Sequence, residues 1–379
     1  MNSNLSFWEQ DTFFNNIDVA IIGSGIVGLN AAWQLKKKHK NLKIAILERG
    51  MLPMGASSKN AGFACFGSPG ELLDDIKKYS ESTVFSLVER RWEGLLKLRK
   101  NLGDKAIDFH NWGGYEVFDS KEKYESCFDK LDYLNKNIST LVGLKTIFKV
   151  AAKQINKFGF DGVNGMLLNV AEGQIDTGKM ITALIQKAHQ AGVYIINSFQ
   201  VESFNDEGSH VHIQSINDIH LTCKRVIICT NGFAKQLLPD YPVVPARAQV
   251  LITKPIPNLK LKGTFHFDDG YYYFRNIGNR ILFGGGRNLD LKGEQTSEFG
   301  LTELVQNRLD ILLKYIIVPY SNPEIDMRWS GIMGLGPEKT TIIKAVSQNV
   351  FCAIRMGGMG IAIGSLVGEE VADLVGESL

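Results

Sequence analysis

Residues 17–48 read IDVAIIGSGIVGLNAAWQLKKKHKNLKIAILE. The run Ile17–Ile22 is short, apolar and β-branched, the pattern of a strand buried on both faces of a parallel sheet. It passes directly into Gly23-Ser24-Gly25-Ile26-Val27-Gly28, a GxGxxG. A helical stretch follows, with Leu29, Ala32, Trp33 and Leu35 inward and a basic tail. Lys43–Leu47 is a second apolar strand, and Glu48 stands twenty positions after Gly28. Together these make a whole βαβ unit. The first glycine permits the tight turn, the second lets a pyrophosphate approach the backbone, and the third lets helix pack on strand. The helix N-terminus at Ile26–Gly28 offers N–H groups to phosphate, and Glu48 is placed for an adenosine ribose hydroxyl. The unit alone leaves NAD and FAD both open.

After Glu48-Arg49 the chain continues GMLPMGASSKNAGFACFGSPGE. A small, polar, glycine-rich stretch thus sits where an NAD domain would carry another amphipathic helix. Small residues let the chain lie against a flat, extended ligand, and the Ser57 and Ser58 hydroxyls can donate to phosphate. Near the other end, Met356-Gly357-Gly358-Met359-Gly360-Ile361-Ala362 leads straight into an apolar helix, IAIGSLVGEEVADLV. The dipole at such a helix start stabilises negative charge.

These segments resemble the D-amino-acid oxidase superfamily, and within it the glycine oxidase, sarcosine oxidase and gamma-glutamylputrescine oxidase branch. The likeness lies in the βαβ unit ending in Glu48-Arg49, and in Gly55-Ala56-Ser57-Ser58-Lys59-Asn60-Ala61-Gly62 with Phe63 after it. It continues through Gly173–Thr177, Val193–Ile196 with Val201, and Arg225–Thr230 with Asn231-Gly232. Arg328–Met333, containing Gly331, and Met356–Ala362 complete it. The resemblance implies FAD held by these segments. It also implies an α/β fold, α+β overall: a Rossmann-like FAD-binding domain beside a second, mainly antiparallel-sheet substrate domain. The FAD domain would comprise residues 17–75, 165–240 and 327–379, and the substrate domain 76–164 and 241–326. The substrate pieces carry matching patterns of their own. Thr83–Gly103 is an amphipathic helix, while Gln249–Thr253, Tyr271–Arg275 and Arg280–Phe283 alternate like antiparallel strands.

The implied chemistry is hydride transfer to the flavin from a carbon bearing nitrogen, with imine hydrolysis and O₂ reoxidation giving peroxide. Tyr271 aligns with a family tyrosine lining the substrate pocket, and Tyr273 points the same way on an alternating strand; an aromatic core strand is the competing reading. Two departures bear on the substrate. Glycine oxidase-like proteins carry a carboxylate-binding arginine where Met333 stands, and sarcosine oxidase-like proteins a lysine where Ala362 stands. Either another cation serves (Lys59, Arg247, Arg275, Arg287 or Arg355), or the substrate is an amine without an α-carboxylate. Arg355 replaces a family glycine at the flavin-facing turn. The family's attachment cysteine has no counterpart in Gly334–Ser347, so the flavin is expected to be non-covalent. A dehydrogenase using another acceptor and a non-catalytic flavin protein remain alternatives.

The 379 residues, 44% of them hydrophobic, suffice to enclose a large cofactor. A net charge of +2 is nearly balanced and argues against nucleic acid or an anionic membrane as partner. The five cysteines are scattered without a CxxC, which reads as reduced thiols in a cytoplasmic protein. The seven histidines also look scattered, and no metal site is expected. The polar N-terminus is no signal peptide, and residues 1–16 read as an extension outside the nucleotide fold.

Overall fold

The computed structural model describes residues 5–379. Its first sheet is built on the opening βαβ unit. The strand order is Ile342–Ala345, Val350–Ile354, His220–Ile228, Ile17–Ile22, Ile44–Leu47 and Tyr194–Ile196. The last five run parallel, and Ile342–Ala345 is an antiparallel edge. Ile21 sits between Ile227 and Ile46, so β-branched side chains form the middle of the sheet. A hairpin, Val201–Asp206 and Val211–Ser215, pairs with the N-terminal half of His220–Ile228.

Helix Ile26–Lys38 packs on this sheet and against the C-terminal helix Gly360–Gly376. That contact is close. A Cβ at Gly364 would lie 2.7 Å from the Ile26 side chain, and one at Gly368 would lie 2.8 Å from Val27 O. The long helix expected over Thr83–Gly103 spans Glu81–Leu102, with Val84, Leu87, Val88, Leu95 and Leu98 buried. It packs against the C-terminal helix, where Arg90 forms a two-pronged ion pair with Glu370 at 2.6 and 2.7 Å.

The second sheet has eight strands, in the order Ile325–Leu335, Val244–Thr253, Arg280–Gly285, Tyr272–Ile277, Thr264–Phe267, Gly114–Phe118, Gly165–Asn169 and Phe148–Val150. Every pairing is antiparallel except Thr264–Phe267 with Gly114–Phe118. Its far face buries Phe265, Phe274 and Phe283 under helix Glu303–Leu312. Two strands differ from the sequence-based partition. Gly165–Asn169, expected with the nucleotide-binding pieces, pairs with Gly114–Phe118, and Ile325–Leu335 runs ten register pairs along Val244–Thr253. Hydrogen bonding to antiparallel neighbours, which local pattern does not encode, decides both.

Of the extension expected over residues 1–16, residues 1–4 lie outside the described residues. Phe7–Glu9 begins a short helix capped by Ser6, and Phe13 and Phe14 rest on Tyr194 and Phe199. No helix among the described residues is long and apolar enough to cross a membrane.

Candidate active site

A cavity of about 640 Å³ runs between the two sheets. At one end the loop Gly23–Gly25 turns into helix Ile26–Lys38. A Cβ on Gly28 would lie 2.1 Å from Gly23 O, so the third glycine serves helix-to-turn contact and not the cavity wall. Gly25 supplies no side-chain cap, and the Ile26 N–H donates to Ser57 Oγ at 2.9 Å. Ser24, expected among the cofactor residues, is fully buried away from the cavity. Its N–H and hydroxyl donate to Glu48 Oε2 at 3.0 and 2.6 Å, which orients the carboxylate. Gly50 N–H donates to the other oxygen at 3.0 Å, and Glu48 faces the cavity beside Val201. Arg49 lines the same end with its guanidinium 3.6 Å from the centre of the Phe233 ring; burial lowers its pKa.

The loop Gly55–Gly62 forms the middle of the wall. Asn60 knots it: its Nδ2 donates to Ala56 O and Ser57 O, and its Oδ1 accepts from Gly62 N–H and the Thr177 hydroxyl. Ala56, Ser57, Ala61, Gly62 and Phe63 line the cavity with it. Ser58 does not. Its hydroxyl donates to Pro53 O at 2.6 Å and Gly55 O at 3.2 Å, so it is turned away from any phosphate. Thr230, Asn231 and Gly232 line the cavity as well, with the Thr230 hydroxyl buried and without a partner among the described residues.

At the other end, helix Gly360–Gly376 begins at the cavity with no side-chain cap from Met359. The first-turn N–H groups of Gly360, Ile361 and Ala362 have no acceptor among the described residues. Gly358, Met359, Gly331 and Met333 complete this end. Two helix N-termini, neither capped by its own N-cap residue, thus open on one long cavity, with Ser57 Oγ taking the Ile26 N–H of the first and the fixed Glu48 carboxylate also on the wall. This donor set fits a dinucleotide with a pyrophosphate in the middle and an electron-accepting ring at the far end.

The antiparallel sheet closes the ring end. Tyr271 and Tyr273 both line the cavity, while Tyr272 between them is buried in the opposite core, as the alternation implies. The strand begins at Tyr272, one residue later than expected; Tyr271 lies in the preceding turn and is 38% exposed. Burial raises the Tyr273 phenol to about 12, so it stays a neutral hydrogen-bonding group. Phe63 packs edge-on against both Tyr273 and His266.

Arg355, expected in the site, is not there. It sits at φ +65°, is 4% exposed, and turns onto loop 336–340, whose Glu338 and Lys339 themselves line the cavity. There it donates to Thr340 O at 2.8 Å, Glu338 at 2.9 Å and the Thr340 hydroxyl at 3.1 Å. The other candidate cations divide between the cavity and the protein behind it. Arg247 is paired with Glu294 and Arg275 is buried behind Gly62, where desolvation lowers it to about 10. Lys59 lines the cavity and makes no ion pair among the described residues, its ammonium 5.0 Å from the centre of the Phe299 ring. Arg287 faces the cavity and makes no ion pair among the described residues.

Sequence reasoning missed a group beneath the aromatic wall. His266 and Glu71 line the cavity, and buried Glu172 and Glu116 lie close by. Glu172 accepts from Phe66 and Gly67 N–H, with Oε2 3.9 Å from His266 Nε2. Burial lifts both Glu116 and Glu172 to about 8, and lowers His266. No local motif announces these residues, because they come from a helix, two strands and a turn that only the tertiary fold brings together. The histidines read as scattered also include a close pair, His210 and His212, on the hairpin turn.

The family model described as FAD dependent oxidoreductase matches residues 18–374. The chain belongs to this family of FAD-dependent oxidoreductases, of the amine and amino-acid oxidising type. Among curated relatives it is similar to glycine oxidase of Geobacillus kaustophilus, 23% identical over 94% of this chain and 92% of the relative. It is also similar to the probable oxidoreductase OrdL of Haemophilus influenzae, 22% identical over 96% of this chain and 84% of the relative. Among solved structures, L-proline dehydrogenase from P. horikoshii superposes with a TM-score of 0.76 at 18% identity, covering 96% of this chain and 94% of that one.

Proposed function

We propose that this enzyme holds FAD non-covalently, oxidises the C–N bond of a small amine lacking an α-carboxylate, and returns the electrons to O₂. One observation carries the reading: the ring end of the cavity is closed by Tyr271, Tyr273, Met333 and Ala362, with apolar side chains at both positions where related enzymes place a carboxylate-binding cation.

Bound FAD supplies the hydride acceptor. The protein's part is placement and electrostatics. The Gly25–Ile26 helix start and Ser57 would hold the pyrophosphate, and Glu48 and Val201 the adenosine half. Gly62, Phe63, Thr230, Asn231 and Gly331 would line the middle. The N–H groups of Gly360–Ala362 would favour negative charge at the ring end. Tyr271 and Tyr273 wall the substrate and exclude water. An apolar wall also favours the neutral amine over its ammonium form, so no strong base is required.

The test is the visible spectrum of the purified protein, followed by anaerobic bleaching with primary and secondary amines, polyamine derivatives, glycine, sarcosine and D-amino acids. Bleaching by amines supports the proposal; robust turnover of a free amino acid sinks it. Fast dye reduction with slow peroxide release would replace O₂ by another acceptor. A second reading rests on Arg287, which faces the cavity without an ion pair and has the geometry-independent chemistry to bind a carboxylate.

A further inference from the structure

The hairpin Val201–Asp206 and Val211–Ser215 carries a side-chain cluster that the flavin site does not use. His212 is on strand Val211–Ser215 and His210 is the residue just before it; their ring nitrogens meet on one side of the hairpin. A tight turn, closed by Glu207 N–H donating to His210 O at 2.9 Å, brings Glu207 against them. His210 Nε2 and His212 Nε2 are 3.0 Å apart, and Glu207 Oε2 lies 3.0 Å from the first and 3.4 Å from the second.

Three lone-pair atoms meeting this closely repel unless a proton or a cation lies among them. The spacing has a further meaning. Ligands about 2.0–2.1 Å from a tetrahedral ion stand about 3.3 Å from each other. The three separations match that edge. The outer nitrogens are also engaged: the Ser209 hydroxyl is 2.7 Å from His210 Nδ1, and the Thr222 hydroxyl is 3.0 Å from His212 Nδ1. Such partners orient each ring with Nε2 toward the shared point. The turn is itself anchored. Asp206 accepts from Ser347 and Asn349, and Asn349 also donates to Gly208 O at 2.9 Å.

We propose that Glu207, His210 and His212 bind one divalent transition-metal ion, leaving its fourth position to water. Two imidazoles and a carboxylate suit zinc, nickel or copper over magnesium or calcium. None of the three residues lines the flavin cavity, so the ion staples the hairpin and takes no part in oxidation. Val201, at the other end of the hairpin, lines the adenosine end.

The test uses untagged, FAD-loaded, full-length protein stripped with chelator and dialysed against Zn²⁺ or Mg²⁺, with elemental analysis of the retained metal. The expected result is one Zn²⁺ per chain, no retained Mg²⁺, and unchanged flavin content. His210→Ala and His212→Ala each weaken Zn²⁺ binding by at least about tenfold, and Zn²⁺ raises the Tm of the parent protein but not of the double variant. Equal Zn²⁺ retention by parent and double variant overturns the proposal. So does absence of retention by the parent, which would leave a protonated histidine pair on Glu207, and so does a preference for Mg²⁺.

Discussion

Asn231 Oδ1 accepts a hydrogen bond from Met356 N–H at 3.0 Å, joining two cavity segments that are 125 residues apart. Asn231 itself sits at φ +45°, and a Cβ on Gly334 would come within 2.5 Å of the same oxygen. The bond closes the cavity where the turn after His220–Ile228 meets the approach to the C-terminal helix. Asn231→Ala loses both the bond and a residue suited to the left-handed region, so it should destabilise by about 2 kcal/mol. Asn231→Gly keeps the backbone freedom and should cost about 1 kcal/mol. Denaturant melts with flavin content check this; an alanine variant as stable as the parent would remove Asn231 from this role.

Gly28 faces backbone, not a movable side chain, since its Cβ would stand 2.1 Å from Gly23 O. Gly28→Ala must push the helix off the turn, a strain of about 3 kcal/mol or more. The expected outcome is poorly soluble, flavin-free protein on gel filtration with absorbance detection.

Substrate choice is expected to pivot on two residues. Met333→Arg restores a guanidinium at the ring end and should raise kcat/KM for α-amino acids relative to matched amines by about tenfold, a gain of roughly 1.4 kcal/mol. Arg287→Gln separates the two readings of the substrate. Under the amine reading its kcat/KM with amines is unchanged, whereas a rise in KM confined to carboxylate-bearing substrates would make Arg287 the anchor.

Glu116 and Glu172 define a pH dependence. Burial raises both from 4.5 to about 8, so the folded protein holds protons that the unfolded chain releases at lower pH. Stability should therefore be greatest at the acid end of this window and decline as pH rises from about 4.5 to about 8. Melting curves across that range, with Glu116→Gln and Glu172→Gln, check the sign. Each amide should flatten the decline; a Tm that climbs with pH contradicts the assignment.

Denaturation with acid or heat should leave the yellow colour in the supernatant, because no attachment cysteine follows Trp329 before Ser347. Colour in the pellet would overturn non-covalent binding.

The nucleotide half was legible because its signals are local. Gly23–Gly28, Glu48 and the glycines before Ile361 each act within a few residues of themselves, and turn, helix start and strand end follow from chain chemistry. Ser24 and Ser58 misled because a hydroxyl's partner is a matter of direction, and theirs are Glu48 and the Pro53 carbonyl. Arg355 misled similarly: left-handed backbone swings its guanidinium onto Glu338 and Thr340. His266, Glu71 and Glu172 left no trace in the sequence. Strand pairing sets His266 beside Gly114–Phe118, while Glu71 arrives on helix Pro69–Lys78 and Glu172 on the turn after Gly165–Asn169. They are tied in by Gly70 N–H to Glu116 and by Phe66 and Gly67 N–H to Glu172.

Strand Ile325–Leu335 begins beside Thr253 at the outer edge of the antiparallel sheet and ends with Met333 and Leu335 at the cavity wall. The chain passes between the two sheets four times: out after Leu47, back before Tyr194, out after Ile228, and back after Leu335. Neither sheet is therefore a contiguous cassette. Transplanting the substrate-facing sheet from a relative would mean matching four junctions at once, and one of them runs through the wall of the cofactor chamber. Laboratory retargeting of this scaffold is thus confined to replacing side chains on fixed strands; wholesale module exchange is closed to it.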